Sequence, residues 1–474
     1  MYVFPLLGYE AIQIIIEKFI YLNSILAIID LMTIYALSSG SGIAGISVIR
    51  VSGPKTQEVI AKLTNKELPK PRVATIRKFN KFNENLLIDE GILIWFPAPN
   101  SYTGEDMAEF HVHGSIAVVN TIQKSISHID GCRLAEPGEF TKIAFQNGKI
   151  NLLKAESISD LISSETEMQR VQAIKLMSGK SSEKFNSLRE RLLKILSNVE
   201  AKIDFPEDDL PNDILQNIHS ETIEVKEEIN KILNDQNIGE KIREGFKIAI
   251  VGPTNAGKSS LLNYLSRRDV AIVSEIAGTT RDVIEVHLNL DGYPVVISDT
   301  AGIRESENEI ENKGINLALK KAEDSDLILV VLEPKNVDFT HFLADIVSKK
   351  AILVINKIDL GIDNIIDEIQ KYNPIQISIK DEKNLDNLIN LIKKKLNEKF
   401  ITTEHVFITR QRHRSNLERC AEHLSKFEEK KTIDEIDKGA EDLRLATRYL
   451  GAIVGKVDVE EILGSIFNDF CIGK

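Results

Sequence analysis

Cysteine is scarce in this chain of 474 residues: Cys132, Cys420 and Cys471 lie far apart, are odd in number and form no C-x-x-C pair. That excludes a disulfide framework and a cysteine-built zinc site, and it suits a reducing, cytoplasmic setting. Positive charge is in deficit as well. The 59 Lys and Arg against 71 Asp and Glu leave a net charge of −12 and a pI near 5.4, which excludes a surface that coats nucleic acid broadly. Any RNA contact is therefore expected to be focal. Long apolar runs are missing too. The first 31 residues come closest, but Glu10, Glu17, Lys18 and Asp30 break them into pieces shorter than the roughly 20 apolar residues that span a bilayer. They also lack the basic start and small-residue cleavage site of a signal peptide. No membrane association is expected; residues 1–31 are read as a dispensable extension, with Met32 opening the folded unit. Cys471 stands four residues from the end, yet Gly473 and Lys474 do not fit a C-a-a-X prenylation signal. The local sequence leaves open whether its thiol is reactive or part of an ordinary tail.

What is present is a chain long enough for about three domains, each with its own core. From residue 32 to 150, short β-rich runs such as "GISVIRVSG", "GILIWFPAP" and "AEFHVHG" alternate with Gly, Pro and Asn, the texture of an α+β domain. Residues 151–243 turn helical, with Leu188, Leu192, Ile195 and Val199 on one stripe, before Pro206 and Pro211 impose a bend. Residues 244–400 alternate helices with the fully apolar runs "FKIAIV", "PVVIS", "LILVVL" and "AILVI". Runs of that kind suit central strands of a doubly wound, mainly parallel sheet. Residues 401–474 are helical again, with Leu443, Ala446, Leu450 and Ile453 on one face. The fold class expected is multidomain α/β, with the α/β unit inserted between two parts of a helical domain.

The inserted unit carries the chemistry. "GPTNAGKSS" matches G-x-x-x-x-G-K-[ST] after an apolar strand and before a helix, the context that makes it a phosphate-binding loop. Its glycines, Gly252 and Gly257, let backbone amides wrap phosphates, Lys258 reaches the β and γ oxygens, and the Ser259 hydroxyl holds Mg²⁺. Asn255, Ala256 and Ser260 complete the loop's expected contacts. "SDTAG" follows "PVVIS" and supplies Asp299, Thr300, Ala301 and Gly302, with Asp299 beside Mg²⁺ and the Gly302 amide near the γ-phosphate. "NKID", with Asn356, Lys357 and Asp359, follows "AILVI"; the Asp359 carboxylate can accept two hydrogen bonds from guanine, for which adenine has no matching donor pair. "SIK", Ser378, Ile379 and Lys380, completes the base pocket. Four elements at strand ends, in this order, indicate a GTP site. The segment resembles the translation-factor-related GTPases, and "AGTTRD" resembles the first switch of one subgroup, with Thr280 as second hydroxyl on Mg²⁺. Ile303 stands where Ras-like enzymes carry a water-positioning Gln.

Outside this unit, "SYTGEDMAEFHVHGS", "EPGEFTKIAFQNGKINLLKAESISDLI" and the terminal "FCIGK" resemble the MnmE (TrmE) family of tRNA modification GTPases, from about Met32 to Lys474. The resemblance implies activation by dimerised G domains around K⁺, held by Asn255, Ser274, Ile276 and Thr279, with Glu275, Ala277 and Gly278 also against the nucleotide. It implies Glu311 as the residue that orients the attacking water. It further implies a homodimer whose N-terminal domain binds 5-formyl- or 5,10-methylene-tetrahydrofolate through Arg50, Glu109, Lys149 and Lys474, with Cys471 in a catalytic role. The partner implied is the FAD protein MnmG (GidA), using NADH in a heterotetramer, and the reaction is a carboxymethylaminomethyl-type modification at C5 of a tRNA wobble uridine. A ribosome-assembly GTPase without modifying activity is the alternative; it leaves the folate-domain match and the tail unexplained.

Two smaller features stand apart. His111 and His113 alternate on a strand and share a face, as metal ligands do, but no third ligand is near and a polar β-face is the better reading. "RQRHR", Arg410 to Arg414, reads as a solvated basic helix start or as a weak contact for tRNA phosphates.

Overall fold

The computed structural model describes residues 32–474 apart from 83, 85, 205–213, 254, 269–284, 300–324, 335–350, 362–369, 371, 401–405, 431–432, 458–466, 468–469, 471–472 and 474. The N-terminal extension and the Pro206–Pro211 bend lie outside the described residues. The architecture is multidomain α/β, and two compact units are distinguished, Met1–Ser159 with Asp458–Lys474, and Asp160–Val457.

The first unit runs β1 (Thr33–Leu37), β2 (Ala44–Ser52), α1 (Thr56–Thr64), β3 (Thr75–Asn80), β4 (Leu87–Phe96), β5 (Met107–Gly114), α2 (Ile116–Ser127), β6 (Cys132–Leu134), α3 (Glu139–Gln146) and α4 (Leu152–Ile162), of which the residues from Asp160 on belong to the second unit. Its sheet has the order β3-β4-β5-β2-β1-β6, antiparallel except where β6 joins β1. Side chains alternate between faces along each strand. Ile49, Val51, Ala108, Phe110 and Val112 therefore turn inward onto Val59, Ile60 and Leu63 of α1 and Ile122 and Ile126 of α2. The residues between them, Arg50 and Glu109, take the other face and are direct cross-strand partners. On that face Ile34, Ala36 and Phe140 pack with Tyr102. The chain's end belongs to this unit: Phe467 and Phe470 pack with Leu152 and Ala155, and the Ser38 hydroxyl donates to the Gly473 carbonyl at 2.7 Å. Gly473 has φ +98°, and a Cβ there would stand 2.2 Å from the Leu37 carbonyl oxygen, so only glycine fits without displacing backbone.

The second unit holds a helical bundle and an α/β sheet. After α5 (Glu167–Met177), the long α6 (Lys180–Asp204) and α7 (Ile214–Leu233) lead through α8 (Ile238–Glu244) into β7 (Phe246–Val251), α9 (Lys258–Arg268), β8 (Glu285–Leu290), β9 (Tyr293–Asp299), β10 (Leu327–Leu332), β11 (Ala351–Ile355), β12 (Ile375–Gln376) and α10 (Leu385–Phe400); α11 (Gln411–Glu428) and α12 (Ile433–Val454) follow. The sheet order is β12-β11-β10-β7-β9-β8, parallel apart from the edge strand β8. The four apolar runs are strands of this sheet, and Leu327 to Leu332 are buried without a break. Helices α6, α7, α11 and α12 pack in a ring, each against two of the others. Both stripes read from the sequence face the interior: Leu188, Leu192, Ile195 and Val199 of α6, and Leu443, Ala446, Leu450 and Ile453 of α12, are all buried.

The basic run at the start of α11 is not the solvated patch expected from its composition. Arg414 is buried and donates to Glu240, Asp235 and the Leu233 carbonyl. Arg410 pairs with Asp160 at 2.7 Å, and Arg412 donates to the Ala452 and Ile453 carbonyls. Burial makes pairing obligatory for Arg414, and the three arginines together stitch the start of α11 to its neighbours. Leu192, fully buried in the ring, tests the bundle: Leu192→Ala should cost about 2–5 kcal/mol, read as a lower urea midpoint with unchanged helical signal before the transition.

Candidate functional site

The nucleotide motifs converge where the parallel strands end. Strand β7 is apolar except for the exposed Lys247 and central, flanked by β10 and β9, so its C-terminal end lies where ligand sites of such sheets form. Gly252 leaves the strand with φ +149°, and a Cβ there would lie 2.1 Å from the Val331 carbonyl oxygen. Asn255 is left-handed, with φ 65°, and Gly257 brings the loop into the first turn of α9. A Cβ on Gly257 would meet Asn356 Nδ2 at 2.2 Å. The described loop residues therefore lie close against their neighbours and lead into the N-terminal end of a helix, where anions are favoured. The Lys258 ammonium donates to the Gly252 and Pro253 carbonyls at 2.9 and 2.8 Å, neutral acceptors that charged phosphate oxygens outcompete. Ser259 and Ser260 follow on the first turn of α9. Asp299 closes β9 as the cross-strand partner of Ile250, beside the strand that feeds the loop.

Asn356 joins two of the motif loops. This side chain is buried; its Nδ2 donates to the Ala256 carbonyl at 2.9 Å and its Oδ1 accepts from the Ile379 amide at 3.3 Å. One amide thus joins the phosphate loop to the "SIK" loop. Ser378, also buried, donates to Asp359 Oδ1 at 2.7 Å. That bond, helped by the charges of Lys380 and Lys383, holds the Asp359 carboxyl below the usual carboxylate range and keeps it an acceptor of hydrogen bonds. Lys357 is left-handed and pairs with Glu333 at 2.7 Å, a partner that no motif signalled. Ser274, Glu275, Ile276, Ala277, Gly278, Thr279, Thr280, Thr300, Ala301, Gly302 and Glu311 lie outside the described residues, as do Cys471 and Lys474.

In the first unit Arg50 and Glu109 do meet. Arg50 Nε and Nη2 donate to Glu109 Oε1 at 3.2 and 2.9 Å, and the guanidinium lies 5.5 Å from the Tyr102 ring centroid and 5.6 Å from that of Phe140. The pair is half-shielded between two aromatic faces, where a cation gains from the ring quadrupoles. Ser52, two residues along the same face, bonds Thr103 at 2.7 Å and Glu105 at 2.9 Å, and burial pushes the Glu105 carboxyl up. Lys149 is exposed, and its Cε lies 3.0 Å from where a Gly104 Cβ would stand, so the 101–105 loop adjoins both Arg50 and Lys149. Tyr102, Phe140 and Glu105 were not singled out from the sequence; their signal was to lie within the quoted stretches, Tyr102 and Glu105 in "SYTGED" and Phe140 in "EPGEF".

Two family models match the chain: GTP-binding protein TrmE N-terminus over residues 33–149 and MnmE helical domain over residues 152–471. The tRNA modification GTPase MnmE of Pelagibacter ubique (strain HTCC1062) is 67% identical over 443 residues, covering 94% of this chain and 100% of that protein. The chain belongs to the MnmE family. The proteins of the same name from Rickettsia bellii (strain RML369-C) and Rickettsia akari (strain Hartford) are 45% and 43% identical, each over 93% of this chain and the whole of the relative. A solved structure, the G domain of the T. maritima FeoB iron transporter, is 28% identical and covers 32% of this chain and 98% of its own, with a TM-score of 0.25, too low to carry an argument.

For an MnmE family member, the described cysteines are poor nucleophiles. Burial pushes Cys132 up to about 11 and raises Cys420 further, so both are thiols at neutral pH. No cluster of three or more His, Cys, Asp or Glu suited to a metal occurs among the described residues. His113 instead bonds Asp89 at 2.8 Å, and His111 Nε2 faces Glu109 Oε2 at 3.6 Å.

Two outcomes follow for the base pocket. Because Asp359 is held low, its charged form persists on acidification, and GDP affinity should stay flat from about pH 7 to about pH 5. Ser378→Ala removes the donor that aims this carboxylate and should weaken GDP about tenfold, while Asp359→Asn should turn preference from guanine to xanthine nucleotides; calorimetric titration with GDP and XDP measures both.

Proposed function

We propose that the chain is a K⁺-activated GTPase that, with the FAD protein MnmG, installs a carboxymethylaminomethyl-type group at C5 of the wobble uridine of certain tRNAs, taking one carbon from tetrahydrofolate. The observation that carries the nucleotide half is the single Asn356 amide that joins phosphate loop and base loop. The carboxylate of Asp359 beside it is matched to guanine.

In this reading the loop amides and Lys258 bind the β and γ phosphates. Ser259, with Thr280, offers hard oxygen donors of the kind Mg²⁺ takes. K⁺ fits Asn255 with Ser274, Ile276 and Thr279, again an oxygen donor set; when bound, it supplies the charge neutralisation that an arginine finger provides elsewhere, worth about 10³ to 10⁵ in rate. Glu311 orients the attacking water, the task left open by Ile303. In the N-terminal domain, 32–150, Glu109 grips the amide–amidine edge of the pterin, while Arg50, Lys149 and Lys474 face its carbonyl or glutamate tail. The aromatic-flanked Arg50–Glu109 pair supports this reading. Helical segments 151–243 and 401–474 carry the G domain, 244–400, and hydrolysis drives its opening and closing in a cytoplasmic homodimer that joins MnmG in a heterotetramer. NADH and FAD act on the partner, and Cys471 acts as nucleophile or base at the folate site.

Glu311→Ala should lower K⁺-dependent turnover about a hundredfold and leave GTP affinity as it was; unchanged turnover removes the assignment. Cys471→Ser should abolish wobble-uridine modification in cells while GTP turnover continues, and retained modification returns the thiol to a packing role.

A further inference from the structure

His111 Nε2 is one of four buried polar atoms of the first unit, with Ser47 Oγ, Arg77 Nε and Trp95 Nε1, that have no hydrogen-bond partner among the described residues. His111 lies two residues from Glu109 on β5, on the same face. Its cross-strand neighbours are the apolar Val48 and Ile92, and its Nε2 is shielded from solvent without a hydrogen-bond partner among the described residues. Folded proteins rarely leave such an atom unmatched, and each exception asks for a reason. The nearest charge is Glu109 Oε2 at 3.6 Å, a few tenths of an ångström beyond a hydrogen bond. His113, by contrast, is exposed and already bonded to Asp89.

The carboxylate of Glu109 is held unevenly. Both Arg50 donors fall on Oε1, and among the described residues no hydrogen bond fixes the carboxylate's rotation at Oε2. A carboxylate has about four acceptor sites, and a bidentate grip on a planar ligand edge needs both oxygens in the ligand's plane. Resting on the reading of this unit as the tetrahydrofolate site, we infer that His111 is a positioning residue: its Nε2–H closes onto Glu109 Oε2 when the pterin engages and holds the carboxylate in that plane. Arg50 then secures one oxygen and His111 the other. The neutral tautomer with the proton on Nε2 serves, and no metal is involved.

The test is calorimetric titration of 5-formyl-tetrahydrofolate into the full chain, with each variant's melting temperature showing that it folds. His111→Leu should raise Kd about tenfold, whereas His111→Gln, which can set an N–H near the same point, should stay within about threefold of the parent. On a Glu109→Ala background, His111→Leu should add nothing, because the group it positions is gone. Parent-like binding by folded His111→Leu, or a full additional loss in the double variant, overturns the inference while leaving the folate site in place. A parent chain that binds no 5-formyl-tetrahydrofolate overturns the reading of the site itself and the inference with it.

Discussion

The nucleotide site depends on one buried amide. Asn356 spends its donor on Ala256 and its acceptor on Ile379, so the loops at the ends of β7 and β12 are fixed relative to each other through the end of β11. The constraint runs back into the sequence as a requirement for glycine at position 257, where any side chain would strike Asn356 Nδ2. A ligand that bridges phosphate and base subsites gains from such a frame, since less ordering remains to be done on binding.

The first unit obeys a different constraint, the two-residue alternation of strands. Register pairs Arg50 with Glu109 on the face away from α1 and α2, and the aromatic rings of Tyr102 and Phe140 close over the guanidinium. A slip of one residue would drive Arg50 and Glu109 into the apolar core and bring Ile49 and Phe110 out. The placement of the ion pair and the stability of the core are therefore one requirement. Gly473 is held on the same unit through Ser38 and its close approach to Leu37, which makes the chain's end part of the fold.

Charge was the least legible property. The arginines from 410 to 414 read as solvated because composition reports what a segment carries and not what packs on it; Glu240, Asp235 and Asp160 arrive from 174 to 250 residues away to meet Arg414 and Arg410. The pairing of Lys357 with Glu333 and the unmatched His111 were invisible for the same reason. Apolar periodicity was more dependable, since the stripes on α6 and α12 and the runs forming β7, β9, β10 and β11 are local patterns whose only economical burial is the one observed.

By itself the sequence determined the element types, the order of the four nucleotide motifs at strand ends and membership of a family whose motifs lie in three separate stretches. These are properties of spacing and residue type, which survive without coordinates. Tertiary structure alone decided which polar groups are committed to one another: Asn356 to two loops, Ser378 to Asp359, Arg50 to Glu109, Arg410 to Asp160, and Arg414 to Asp235 and Glu240. Such pairings join residues distant in the chain, and their strength comes from burial and geometry that no local pattern encodes.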